Sequence, residues 1–201
     1  MKLTKMFGLA LVAAIAVMAI AGVGTASATL CKKNESPCAA ANQYPVPTTI
    51  KGHAAKAVLT GTIEVTCESD VTMVHEGEKN GKLFGKITSL TWSNCKGCSP
   101  VKTLEPFPTF DDEATGGGNG LVTVLNTVVE LKSCLFFFTC KAEAAEADLK
   151  VTGGAVGTAS ATATNVPTKV SGSGCGTTGT WNAKYILTEV NGSKTGEIFQ
   201  E

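Results

Sequence analysis

The chain of 201 residues contains no arginine, only 2 histidines, and aromatic residues at only 6%. Each shortage excludes something. Nucleic-acid recognition leans on clustered Arg and Lys, and no basic run occurs anywhere, so a nucleic-acid partner is not expected. Histidine chemistry has only His53, in "KGHAAK", and His75, in "MVHEGE", to draw on. No G-x-S-x-G nucleophile elbow is present, and a Cys–His pair would leave an odd cysteine behind. Both histidines are therefore expected to be solvated loop or strand-edge residues. Aromatic side chains this scarce are usually needed inside, which places Trp92 and Trp181 in a core rather than on a sugar-stacking surface.

What is present starts with the leader. Lys2 and Lys5 precede an apolar run from Met6 to Val23, and Ala26-Ser27-Ala28 follows. Charge, apolar segment and A-x-A site in that order describe a secretory signal peptide. A retained anchor is the rival, because the run sits at the lower edge of spanning length; the Ala-Ser-Ala site favours cleavage. A lipid anchor on Cys31 would want a small residue before it, and Leu30 is bulky. The expected organisation is a signal peptide over 1–28, an N-terminal arm over 29–57 with prolines at 37, 45 and 47, and one β-rich domain over 58–201. Two of the 17 basic residues fall in the leader, so the exported part carries 15 lysines against 17 acids, a formal charge of about −2.

All 8 cysteines, Cys31, Cys38, Cys67, Cys95, Cys98, Cys134, Cys140 and Cys175, lie after that site. An even number in an exported chain reads as a disulfide set, and eight allow 105 pairings. Spacing suggests short loops closed by Cys31–Cys38, Cys95–Cys98 and Cys134–Cys140, leaving Cys67 to meet Cys175. In the chain-entropy model that long closure would constrain the unfolded chain by roughly 4 to 5 kcal/mol, against about 2 for each short one.

From Leu59 to Cys67, apolar residues alternate with Thr60, Thr62, Glu64 and Thr66, the period of a half-buried strand. Val71–His75, Lys82–Trp92 and Leu121–Lys132 continue in β-branched and apolar residues, and Trp181, Ala183, Tyr185 and Leu187 share one face. The segment Asp111 to Gly120, "DDEATGGGNG", reads as a loop. The stretch "KAEAAEADLK" from Lys141 has helical propensity, but an isolated helix that short is marginal and its neighbours suit strands, so it is assigned to a strand. The fold class is all-β: a disulfide-stapled antiparallel β-sandwich or barrel-like domain. The Cys67, Trp92, Cys175 spacing is too wide for an immunoglobulin domain.

The leader, "TLCKKNESPC", "GTIEVTCES", the later paired cysteines and "GTWNAKY" together resemble uncharacterised exported β-rich, cysteine-containing proteins of high-GC Gram-positive bacteria. The resemblance implies secretion and brings no activity with it.

Candidate chemistry is sparse. In "WSNCKGCSP" a redox dithiol would need a helix after the first cysteine, and prolines at 100, 106 and 108 forbid one. Haem attachment would need His where Ser99 stands, and a zinc ribbon would need a second CxxC. A structural bridge is the expected role. Paired carboxylates among Glu64, Glu68, Asp70 and Glu76 could serve a glycosidase, although strand ends are ordinarily charged. Asp111-Asp112-Glu113 offers oxygen ligands without calcium-loop spacing. Phe136-Phe137-Phe138 is read as core, with an exposed partner patch as the alternative.

The expectation is a secreted or cell-surface non-enzymatic protein, an interaction or structural module for an extracellular or cell-envelope partner. No catalytic residue, cofactor or metal is assigned, and no stable membrane span remains after cleavage. The alternative is an extracellular hydrolase using paired carboxylates. Two buried carboxyl groups facing each other across a cleft would favour the hydrolase; scattered solvated ones would favour the interaction module. Peptide mapping of exported protein with and without reductant should give a mature start near Thr29 and no free thiol. Eight reduced cysteines or an uncut leader would contradict the export reading.

Overall fold

The computed structural model describes residues 28–135 and 137–201; the expected signal peptide falls almost wholly outside them. Twelve strands follow in order: β1 (Leu30–Cys31), β2 (Thr48–Gly61), β3 (Val65–Lys79), β4 (Lys82–Lys96), β5 (Val101–Thr103), β6 (Thr109–Gly116), β7 (Asn119–Cys134), β8 (Phe138–Thr152), β9 (Gly154–Ala155), β10 (Ser160–Ser171), β11 (Thr178–Val190) and β12 (Glu197–Gln200). One 3-10 turn, Ala40–Asn42, lies between β1 and β2. The expected all-β, antiparallel, disulfide-linked domain is what the chain forms.

Pairing runs β7–β6–β4–β3–β2–β11–β10–β8, and β8 pairs back onto β7, so eight long strands close into a ring. Each of the eight pairs antiparallel with its successor along the chain, β5 and β9 aside, which makes an up-and-down barrel. The barrel begins at Thr48, so the residues from 48 to 57 belong to its first strand. "KAEAAEADLK" lies wholly within β8, its alanines paired against Val129, Thr127 and Val124 of β7. Cross-strand pairing and burial, which an isolated segment lacks, decide against its helix propensity.

Two tight turns explain the polar glycine-rich stretches. Asn80-Gly81 joins β3 to β4 and Gly117-Gly118 joins β6 to β7, all four residues at positive φ, the geometry of a two-residue hairpin turn whose twist matches the strands. Most of the segment expected as a loop from Asp111 is therefore strand.

Inside–outside alternation slips by one residue partway along several strands. In β2 the buried positions pass from Ala54 to Ala57, in β4 from Ile87 to Leu90, and in β10 from Ala163 to Val166; register shifts mark the first and last of these. Asn165, at φ 52°, occupies the slip in β10. Such bulges bend and twist a strand, which closing a ring requires.

The two ends are finished differently. At one rim Cys67 bonds Cys95, Cys98 bonds Cys134 and Cys140 bonds Cys175, all in one cluster with Val65, Leu131 and Val170. Only Cys31–Cys38 matches the pairing expected from spacing. Cys95–Cys98, Cys134–Cys140 and Cys67–Cys175 do not form, because the ring places neighbouring strand ends together. At the other rim the first and last described strands form a cap. Strands β1, β12 and β9 make a small sheet, the Thr29 and Glu201 amides exchange hydrogen bonds at 2.6 and 3.0 Å, and Leu30, Leu83, Leu187 and Ile198 pack beneath.

Loop length sets the expected hierarchy of bridges. The three rim bridges span 28, 36 and 35 residues and the arm bridge 7, worth roughly 3.5 to 4 kcal/mol each against about 2. In denaturant unfolding, the double variant Cys98→Ala/Cys134→Ala should lose about twice the stability that Cys31→Ala/Cys38→Ala loses. Equal losses would contradict the rim's role.

Candidate functional site

An eight-stranded barrel has an interior just wide enough for its inward side chains, or for one small ligand where they leave room. Here many inward residues are alanine: Ala57 of β2, Ala142, Ala144 and Ala147 of β8, and Ala161 of β10 all line one interior cavity. Trp92 and Trp181 face the same space from β4 and β11, inside as expected. Its open volume, mouth included, is about 940 Å³, of which about 110 Å³ admits the centre of a water-sized molecule. A single water needs only about 10 to 15 Å³ by that measure, so the space takes several heavy atoms.

The walls are almost wholly apolar, with polar atoms only on Trp92, Thr127, Thr168, Trp181 and Tyr185 apart from the backbone. The indole Nε1 of Trp181 and the Oγ1 of Thr168 are buried with no hydrogen-bond partner among the described residues. Thr168 pairs with Gly179, two residues before Trp181 on the same strand, so both groups belong to one patch of wall. Trp92 and Tyr185 are hydrogen-bonded. Trp92 Nε1 donates to Thr103 Oγ1 at 2.9 Å, and that hydroxyl donates to the Leu90 carbonyl at 2.8 Å. These bonds tie β5 to β4 where β4 has run past β6, which it meets only over Leu83–Lys86. Tyr185 and Ser69 hydroxyls lie 3.1 Å apart, and burial pushes the phenol up to about 12, so it remains a neutral O–H group.

A second cavity, about 780 Å³ on the same open measure, lies toward the cap. It shares Val71, Met73, Leu149, Ala161 and Tyr185 with the first, so the two adjoin inside the barrel. Polar side chains line it from several strands, among them His75 of β3, Asp112 of β6 and Gln200 of β12, together with Lys51, Thr152, Ser160 and Tyr185. Gln200 reaches in over Gly120, where a β-carbon would fall 1.2 Å from Gln200 Oε1, and its Nε2 donates to Asp112 Oδ2. Burial pushes the Asp112 carboxyl up to about 8, outweighing the backbone hydrogen bond at Glu113. Burial also lowers His75, against the bond of its Nε2 to the Gly77 carbonyl at 2.8 Å.

Several sequence expectations are corrected. His75 is 4% exposed, not solvated; its odd-numbered position on β3, in step with Val71 and Met73, turns it inward. His53 sits on the outer wall, 2.9 Å from Asp70. The aromatic run divides: Phe137 is 85% exposed at the β7–β8 hairpin, Phe138 is half-buried and packs against the disulfide-rim cluster, and Phe136 falls outside the described residues. Glu64, Asp70 and Glu76 are exposed and Glu68 half-buried. Asp112 is the one buried carboxylate among the described residues. No group of three or more His, Cys, Asp or Glu among them could hold a metal, and no described helix is long and apolar enough to cross a membrane. Gln200 and Thr168 were missed, and Asp112, considered only as an oxygen ligand in a loop, is a buried strand residue; the clue was an acid in step with Phe110 along β6.

No family model, curated protein or solved structure matches the chain.

The raised Asp112 pKa carries a stability consequence. Its folded value, about 8, lies above the ordinary 3.8, so its contribution is fully present below about pH 4 and is lost as pH rises through about 8. Asp112→Asn removes that loss while keeping shape. In thermal melts the wild type should fall relative to this variant between about pH 4 and 8, by up to about 1.4 kcal/mol per pH unit; His75 is common to both and cancels. A pH-independent difference would contradict a buried, protonated Asp112.

Proposed function

We propose that the protein is a non-enzymatic extracellular binding protein that encloses a largely apolar small molecule inside its barrel. The observation that carries this reading is the alanine-lined interior: a closed ring of strands holding open, apolar space instead of a filled core. Binding sites for small molecules are typically concave, mostly apolar and furnished with a few placed polar groups. The Trp181 N–H and the Thr168 hydroxyl, both unpaired, are such groups and suit a ligand with one hydrogen-bonding atom along an apolar body.

Four disulfides are typical of chains folded in an oxidising setting, which supports an extracellular or cell-surface location. The rival hydrolase reading needs a facing pair of carboxyl groups. A single buried carboxylate, hydrogen-bonded to Gln200, gives it no support.

The test uses the two tryptophans, both lining the cavity, as internal reporters. Titration with N-phenyl-1-naphthylamine should give saturable 1:1 energy transfer with a Kd of roughly micromolar or below. Ala161→Leu, which places three carbons where both cavities meet, should weaken binding about tenfold or more while leaving stability unchanged or higher by about 1 kcal/mol. Non-saturable binding, or undiminished binding in a folded Ala161→Leu, would overturn the proposal.

A further inference from the structure

The cavity beneath the cap differs from the one beside it in chemistry. The residues lining it include His75, Asp112 and Gln200, whose Nδ1, Oδ1 and Oε1 respectively are buried with no hydrogen-bond partner among the described residues. The residues are 4%, 5% and 5% exposed. Buried polar atoms are nearly always satisfied, and an unsatisfied one calls for an explanation such as an absent bound group. Three on residues lining one cavity, contributed by strands β3, β6 and β12, make a polar end to an otherwise apolar interior.

We infer that this cavity is the head-group site for a neutral hydroxyl on a long apolar molecule, with His75, Asp112 and Gln200 receiving the hydroxyl and the hydrocarbon running past Met73 and Tyr185 into the alanine-lined cavity. The inference rests on the binding role proposed above and specifies its ligand class. The proton inventory points to a hydroxyl. His75 gives its Nε2 proton to the Gly77 carbonyl, and burial disfavours the charged ring, so Nδ1 is left as an acceptor. Gln200 uses Nε2 on Asp112, so its Oε1 is a second acceptor. Asp112, protonated at neutral pH, supplies the donor. An alcohol both donates one proton and accepts another, meeting an acceptor and the donor together.

Charge excludes an anionic head. The one cation lining this cavity is Lys51, whose Nζ is 2.8 Å from Glu189 and whose side chain is 46% exposed. A buried carboxylate or phosphate would find no unpaired cation, and such burial is strongly unfavourable. Asp112, His75 and the neutral phenol of Tyr185 are the other ionisable groups lining the cavity.

The experiment compares 1-dodecanol, n-tridecane and dodecanoate on the full chain, each displacing the naphthylamine probe, in wild type, Asp112→Leu and His75→Phe. The variants should weaken dodecanol about tenfold while leaving tridecane unchanged or tighter, and dodecanoate should bind wild type more weakly than dodecanol. Equal effects of the variants on dodecanol and tridecane would overturn the head-group site while leaving the binding role intact. Failure of all three ligands and the probe would overturn the binding role itself. Should the variants not fold, 15N resonances of the two histidines in wild type decide it. His75 Nδ1 should shift on adding dodecanol and stay put with tridecane, with His53 as the unmoved control. A His75 shift common to both ligands, or absent with dodecanol, means ordered water alone satisfies these atoms and the inference fails.

Discussion

Pairing of β8 back onto β7 is the interaction on which everything else depends. Closure fixes the strand number at eight, and strand number sets how wide the interior must be. The sequence then supplies that interior with alanine at 57, 142, 144, 147 and 161, side chains too short to meet across it. Protein interiors are ordinarily packed like organic crystals, so a ring kept open by small residues departs from the stability optimum in a direction that makes room for a guest. Hydrophobic collapse would close an open sheet over such residues; a hydrogen-bonded ring resists it.

The two rims hold that ring in complementary ways. Three disulfides tie strand ends at one, each bridging positions far apart in sequence but adjacent around the barrel. At the other, Thr29 and Glu201 pair through their backbones, and the last strand sends Gln200 inward over Gly120. The covalent rim is apolar inside, while the capped rim carries His75, Asp112 and Gln200. An asymmetric interior follows directly: oily through its body and polar beneath its cap.

The fold class was legible because period-two alternation survives in stretches such as Leu59–Cys67 and Trp181–Leu187, and because no segment offers a long helical stripe. "KAEAAEADLK" was legible only through its neighbours, since its own propensity points the other way. The choice of a closed barrel over a sandwich was not legible: closure depends on one long-range pairing, and slips such as Ala54 to Ala57 break the alternation that would reveal inward faces. The disulfide map failed for the same reason. Short-loop logic joins cysteines near in sequence, whereas the ring joins strand ends, so Cys95 and Cys98 turn to different partners. His75 and Asp112 were hidden because their buried setting comes from neighbours on other strands; the rarity of histidine made a solvated reading natural, and "DDEATGGGNG" imitates a loop until its pairing with β7 is known.

The most direct measurement of the central claim is a crystal structure determined under xenon pressure, because xenon enters dry apolar cavities and leaves packed cores empty. The account predicts xenon inside the barrel among Ala147, Ala161 and Trp181, with the surrounding strands unmoved. A barrel whose side chains fill that space, with no xenon in it, would contradict it.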